Sequence, residues 1–395
     1  MTSIFNSLGS NYDRPSGAYQ MYIGGKHKRQ QLRDLLKHHY GSQDVQLVYK
    51  GREALALALQ ALHLPAGSWV AINGYTCYAV YEAVVAAGFK PWYLDISRDE
   101  LDFSAQTLQE ALASTSHIAA VIIQNSFGIP ADLVAIQKVC ALHQLPIIED
   151  MAHCVGMHYS DGSEAGTQTE AAALSFSQDK MIDAVTGGAL LLRQGQITAQ
   201  LTTAGLRIRA TARIYPWLIG FVRQTHHLGL GKALLKVVKK LKLIPGPMSG
   251  KALPLHTLPN WNAGLALKSF ERLDHNTTHR QQIAAIYRRL LPAEAQFRHH
   301  DGAVYLRFPL KVDEPVKLTN YLKHLGIELG TPWYDAPVAP KRLFVKTDYR
   351  QGRCPNAEWM SKHMINLPTH AYVTEEAAQF IAERISTWLQ STPNQ

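Results

Sequence analysis

From about Gly51 to Arg193 the chain switches repeatedly between two hydrophobic rhythms. Segments such as EALALALQAL, YAVYEAVVAAG, LQEALAS and LVAIQKVCALHQ predict helices. Between them lie short apolar runs, SWVAING, KPWYLDI, IAAVIIQ and LPIIED, which predict strands, and AALSFS and GGALLLR predict two more. Strands alternating with helices of this length argue for an α/β fold with a mostly parallel sheet covered on both faces. In such sheets ligands bind at the carboxyl ends of the strands. Past about Leu265 the rhythm changes. A long polar-faced helix, LKSFERLDHNTTHRQQIAAIYRRLL, a strand, AVYLRFPLKV, a helix, VKLTNYLKHLG, and a last helix from near Thr374 predict a smaller C-terminal α+β domain. The expected division is 1–205 for a large ligand-binding domain with an N-terminal arm, 206–255 for an insertion, and 256–395 for the linking helix and small domain.

A chain of 395 residues with 46% apolar content can bury a large core. Its four cysteines, Cys77, Cys140, Cys154 and Cys354, are scattered without CxxC spacing, which argues against a disulfide framework or a metal site and for a reducing cytoplasm. The N-terminal stretch lacks the basic start and apolar run of a signal peptide. The longest uncharged run, Ala54 to Tyr81, is broken by Pro65, Gly67 and Asn73-Gly74, so no transmembrane helix is expected.

Two residues stand out at the strand ends. Asp150 closes LPIIED, where a carboxylate faces the ligand crevice or caps the next helix. Lys180 follows thirty residues later in SFSQDKM, after one more strand. Together they match what pyridoxal 5'-phosphate chemistry asks of a protein: an amine for the Schiff base and a carboxylate that keeps the ring nitrogen protonated. A cavity that strips water from Lys180 would lower its pKa and free the amine to react. Phosphate donors are at hand in Ser175 and in the backbone amides of Gly51 and Arg52 at a helix start, with the Arg52 guanidinium adding a bidentate contact.

Four stretches, GREALALAL, the pair IIEDMAH and SFSQDK, the helix from Ala263 to Leu291, and CPNAEWMSKHMINLPTH, agree in order and spacing with one family. Over most of its length the chain resembles the pyridoxal-phosphate-dependent sugar aminotransferases of the DegT/DnrJ/EryC1/StrS group. That resemblance implies the fold-type-I aminotransferase architecture, a homodimer with active sites at the subunit interface, and a role in sugar and polysaccharide biosynthesis. It places the ring-nitrogen carboxylate at Asp150, a residue near the cofactor's phenolic oxygen at His153, a phosphate-binding serine at Ser175 and the Schiff-base lysine at Lys180. Members that dehydrate sugars carry His at the lysine position, so Lys180 implies transfer of an amino group, from glutamate, to a nucleotide-linked keto-sugar.

The chain also departs from the family's pattern. Lys50-Gly51-Arg52 stands where Ser-Gly-Thr is usual, and Met181 where Asn is common. Thr76 matches, but the aromatic residue expected after it to stack on the cofactor is Cys77, leaving Tyr75 or Tyr78 to substitute. The Asn that reaches the partner subunit's phosphate has no counterpart near Leu255 and His256. Cys77, Cys154 and Trp333 are placed near the pocket, the cysteines with core packing as their expected role.

The largest departure is the insertion, which holds most of the charge. The net charge is +9, yet residues 184–270 contain twelve Lys or Arg and no Asp or Glu. The rest of the chain therefore carries −3, the difference between +9 and +12. In LGLGKALLKVVKKLKLI, Leu230, Ala233, Leu234, Val237, Val238, Leu241 and Ile244 fall at helical spacing with lysines mostly elsewhere, and IYPWLIGFV precedes it. Residues 207–250 are expected to form a helical hairpin packed on the enzyme or its dimer partner, or a peripheral surface for the anionic inner face of a membrane. No nucleic-acid motif is present, and no nucleic-acid partner is expected. Two further functions fit the pattern: a membrane-associated enzyme acting on a lipid-linked or acyl ketone, and a non-catalytic binding or regulatory protein on the same fold. Retention of both Asp150 and Lys180 speaks against the second.

Overall fold

The computed structural model describes residues 27–225, 229–240, 251–329 and 333–391. It opens with helix α1 (Lys28–Tyr40) and strand β1 (Asp44–Val48), which precede the alternation read from the sequence. Helix α1 buries Leu32, Leu36 and Tyr40, a single row four residues apart among polar neighbours, and that one row is too narrow a signal to predict a helix. Then come α2 (Gly51–Ala61), β2 (Trp69–Asn73), β3 (Thr76–Cys77), α3 (Tyr78–Ala86), β4 (Lys90–Leu94), α4 (Ala105–Ser114), β5 (Ile118–Ile123), α5 (Leu133–Leu142), β6 (Ile147–Asp150), β7 (Ala171–Ser175) and β8 (Gly188–Leu192). Each helix and strand expected between Gly51 and Arg193 is present.

With β9 (Thr202–Thr203) and β10 (His256–Thr257), the main sheet has nine strands in the order β4-β2-β5-β6-β7-β8-β1-β10-β9. Strands β4, β2, β5, β6 and β7 are mutually parallel, while β8 runs antiparallel to both β7 and β1. Every residue of β7 and β8 is buried, as expected for strands covered on both faces. This topology brings the site together. Asp150 pairs with Ala173 and Ser175 with Gly188, while Val48 also pairs with Gly188. The ends of β6, β7 and β1 therefore meet at one edge of the sheet, and the loop carrying Lys180 spans it.

The chain leaves this sheet at β9 for helices α6 (Leu206–Gln224) and α7 (Leu230–Lys240), which pack on each other, and rejoins it at β10. The part of the expected insertion at 241–250 lies outside the described residues. Beyond it, the single long helix read from the sequence is two, α8 (Asn260–Glu271) and α9 (Leu273–Leu290), broken at Arg272 with ψ near 5°. The two halves serve different partners: α8 packs on α1, whereas α9 packs on α13 (Glu375–Ser391), so one straight axis cannot satisfy both.

Further on are β11 (Phe308–Lys311), α10 (Pro315–His324), β12 (Val338–Ala339), α11 (Lys341–Phe344), α12 (Pro355–Met360) and β13 (Met364–Leu367). Strands β11 and β13 form an antiparallel pair, shorter than the strand read from AVYLRFPLKV because Tyr305 takes a left-handed turn (φ 47°). Strand β12 pairs in parallel with β3, tying the C-terminal part to the large sheet beside Thr76. Among the described residues, no helix is long and apolar enough to cross a membrane.

Candidate active site

Asp150 sits at the tip of β6 with its side chain 6% exposed, and its Oδ1 accepts a hydrogen bond from the Ala152 amide at 3.0 Å. Burial pushes the carboxyl up to about 6, and the Lys180 cation and the Ala152 amide oppose that rise. Lys180 is carried by a tight loop between β7 and β8. The Asp183 carboxylate accepts from the amides of Asp179 (3.0 Å) and Val185 (2.8 Å), and the Thr186 hydroxyl donates to the Tyr49 carbonyl. These bonds fix a loop in which Asp179 and Val185 both have positive φ. Burial holds the Lys180 amine below its ordinary range, and Arg307 adds to this, while Cys77, Asp150 and Asp179 oppose it. The amine and carboxylate expected from the sequence are thus brought within electrostatic reach of one another.

Around them stands an aromatic and cationic wall. The Lys180 Nζ lies 4.5 Å from the centre of the Trp333 ring, and the Arg307 guanidinium lies 4.5 Å from the same ring. The His153 imidazole stacks on that indole at 4.6 Å and 21°. His153 Nδ1 accepts from the Phe127 amide at 3.1 Å, so the ring's proton sits on Nε2 in the neutral form. Burial, Lys180 and Arg307 all hold His153 well below its usual pKa and keep it neutral. Phe127 itself has φ 59°, a strained conformation for a bulky residue, which is the geometry that aims its amide at His153.

At the other end of the cleft, Ser175 lies against Gly51 at the start of α2. A Cβ on Gly51 would come 2.6 Å from the Ser175 Cβ and 2.9 Å from its Oγ, so only glycine allows this approach. The first amides of α2 and the serine hydroxyl thereby form one cradle at a helix N-terminus. Arg52 is buried and ion-paired to Glu82, so its guanidinium is shared with a carboxylate that the motif did not reveal. Lys50, immediately before the helix, is 8% exposed and is lowered to about 8, chiefly by burial and then by Arg52.

The remaining expected site residues divide. Thr76 is fully buried and its hydroxyl donates to Gln124 Oε1, while Gln124 Nε2 donates to the Tyr334 hydroxyl at 3.1 Å. Tyr78 begins α3 beside Tyr81, its hydroxyl under the influence of Glu82 and Arg52, which places it at the phosphate end. Tyr75 is wholly buried, edge-on to Tyr334. Cys154 is in the core as expected. Cys77 is not: it is partly exposed, caps α3 by accepting from the Ala79 amide, and feels Lys180, Arg52 and Asp150 at once. It therefore marks the join between the two ends of the cleft. Arg307 and Lys50 were not singled out from sequence as site residues, and only the position of Lys50 before a helix-starting glycine signalled its part.

The sequence model of the DegT/DnrJ/EryC1/StrS aminotransferase family matches residues 18–386. The chain belongs to that family. A curated relative of this aminotransferase, the pleiotropic regulatory protein of Geobacillus stearothermophilus, is 26% identical over 346 residues, covering 85% of this chain and 82% of that protein. Among solved structures, DesV of S. venezuelae superposes with a TM-score of 0.76 at 19% identity, covering 98% of this chain and 99% of that one. Helicobacter pylori PseC, an aminotransferase involved in the biosynthesis of pseudoaminic acid, gives 0.70 at 15% identity, covering 99% of both chains. These likenesses establish the fold-type-I fold for the aminotransferase described here.

Members of this family depend on pyridoxal phosphate, and the residues present fit that group. The desolvated Lys180 amine, the buried Asp150 carboxylate and the cradle where Gly51 meets Ser175 beside Lys50 would offer one partner each to its carbonyl, ring nitrogen and phosphate. Lys50 gives the cradle a pH dependence. Its protonated form is the one that attracts phosphate, so affinity for pyridoxamine phosphate is expected to fall roughly tenfold as pH rises through about 8. Quenching of protein fluorescence measures this, and Lys50→Met should be weaker at pH 7 and nearly flat across the same range.

Proposed function

We propose that this aminotransferase moves the amino group of glutamate to the carbonyl of a nucleotide-linked keto-sugar, working as a homodimer with its active sites at the subunit interface. The observation that carries the transfer chemistry is the pairing of a desolvated Lys180 with Asp150 in one cleft. The family and the PseC likeness support an acceptor of the sugar class. Bound there, pyridoxal phosphate supplies the carbonyl that takes up the amino group and the ring that accepts the electron pair of the breaking C–H bond.

The protein's own part is to hold the ring and move protons. Asp150, in its ionised form, would stand against the ring nitrogen and keep it protonated. Lys180 Nζ takes the proton from the donor's α-carbon, and in the second half it delivers a proton to the former carbonyl carbon of the acceptor. Neutral His153, donating through Nε2, suits the phenolic oxygen. Arg307 offers a planar cation to an anionic substrate, whether the donor's carboxylate or the acceptor's phosphates. Over a full cycle, amino acid and keto-sugar become 2-oxo acid and amino-sugar, with the protein unchanged.

Adding glutamate to the loaded enzyme should convert its carbonyl chromophore to the pyridoxamine form and release one 2-oxoglutarate per site, with a nucleotide-linked keto-sugar restoring the original spectrum. No conversion by any amino acid would remove the transfer reaction. Conversion by glutamate without recovery by any keto-sugar would remove only the acceptor.

A further inference from the structure

Helix α6 is apolar on two sides. Its inner side buries Ala212, Tyr215, Ile219 and Val222. Its outer side exposes a second apolar row, Leu206, Ala210, Ile214, Trp217 and Phe221, at steps of four, four, three and four residues. These are not marginal exposures: Leu206 is 75%, Ile214 55%, Trp217 44% and Phe221 51% accessible. Helix α7 repeats the arrangement with Leu230, Ala233 and Val237 outward. An exposed apolar row on a helix whose opposite side is already buried marks a surface with a partner.

The charges around the two rows say which partner. Arg207 and Arg213 border the row on α6, and Lys236 and Lys240 border that on α7, all exposed. No carboxylate occurs anywhere between Asp183 and Glu271. A two-fold contact through these helices would bring the cationic rims of the two copies together, and residues 184–270 hold no Asp or Glu to set against them. Apolar and aromatic residues rimmed by cations match instead the boundary between acyl chains and anionic headgroups. We propose that the outer face of α6 and α7 docks on an anionic lipid bilayer, with the helices lying in its plane.

The opposite face of α6 approaches the active site. The Tyr215 hydroxyl is held far above its usual pKa by burial and by Asp179 and Asp183, which belong to the loop carrying Lys180. A bilayer under α6 would therefore hold the catalytic loop at a fixed distance from the lipid surface. This inference is independent of the acceptor's identity.

The test is flotation of the full-length protein, loaded with pyridoxal phosphate, on two kinds of vesicle: pure phosphatidylcholine, and the same lipid with one third phosphatidylglycerol. Binding to the anionic vesicles alone, weakened by salt and accompanied by a blue shift of tryptophan emission, is expected. The pair K236E/K240E should lower the partition coefficient roughly thirtyfold or more, at about one headgroup interaction's worth per lysine. W217S/F221S should weaken it at unchanged charge. Both double variants should keep the wild type's affinity for pyridoxamine phosphate, which shows that they fold. Flotation on neither vesicle, equal flotation on both, or full binding by K236E/K240E would overturn the proposal. So would a loss of dimer mass in W217S/F221S, which would assign the stripe to a second copy.

Discussion

Lys180→Met is expected to slow the reaction with glutamate by roughly 10⁴-fold while leaving the protein able to bind pyridoxal phosphate. The two effects separate because the amine and the phosphate cradle are built from different elements. Lys180 stands on the loop between β7 and β8, whereas Ser175, Gly51 and Lys50 meet at the start of α2. Methionine keeps most of the side chain's length and its apolar stem, and a sulfur–aromatic contact can take the place of the amine over the Trp333 ring, so the loop held by Asp183 should keep its shape. What is lost is the group that both attacks the carbonyl and carries the proton. Single-turnover absorbance after mixing with glutamate measures the rate, and borohydride followed by peptide mapping should label wild type at residue 180 and the variant nowhere. A variant that reacts within tenfold of wild type would mean that another group moves the proton.

Asp150→Asn is expected to cost roughly 10³-fold in the same half-reaction, because a neutral amide cannot hold the ring nitrogen protonated. It also carries a thermodynamic signature that does not depend on turnover. The Asp150 carboxyl titrates near 6 in the folded chain against an ordinary 3.8, so the ligand-free fold retains its full stability below the lower value. As pH rises between the two, the folded chain must give up a proton it holds more tightly than the unfolded chain does, at a cost of about 3 kcal/mol. A bound cationic ring offsets that cost. The gain in Tm on adding pyridoxal phosphate should therefore grow as pH is raised from 5 to 7, and Asp150→Asn should lose this increment. An identical increment in the variant would mean that Asp150 does not face the ring.

The sequence revealed the parts of the site that lie on regular structure. Asp150 was legible because the short apolar run LPII reads as a buried parallel strand, and the carboxylate that closes it lies at the strand end where the crevice opens. Lys180 and Ser175 were legible through their spacing from that strand. Trp333 was named as near the pocket, but Arg307 was missed, because its approach depends on the left-handed turn before β11, which has no local pattern. The pairing of Arg52 with Glu82 escaped notice for the same reason: thirty residues and two strands separate them. Cys77 was expected in the core because cysteine is small and apolar, but its place at the N-terminus of α3 puts it between the amine and the phosphate cradle instead. The break at Arg272 was invisible because both halves of that helix have helical periodicity, and only their different packing partners separate them.

Strands β9 and β10 pair in parallel, Thr202 beside His256 and Thr203 beside Thr257, so the chain departs from the main sheet and returns to it at adjacent points. Everything between is a detour with a closed mouth. Lineages can lengthen, shorten or exchange such a segment without shifting the register of the strands that bear Asp150 and Ser175, because neither end of the detour needs to move. A change in the length or surface chemistry of this detour therefore leaves the catalytic frame in register.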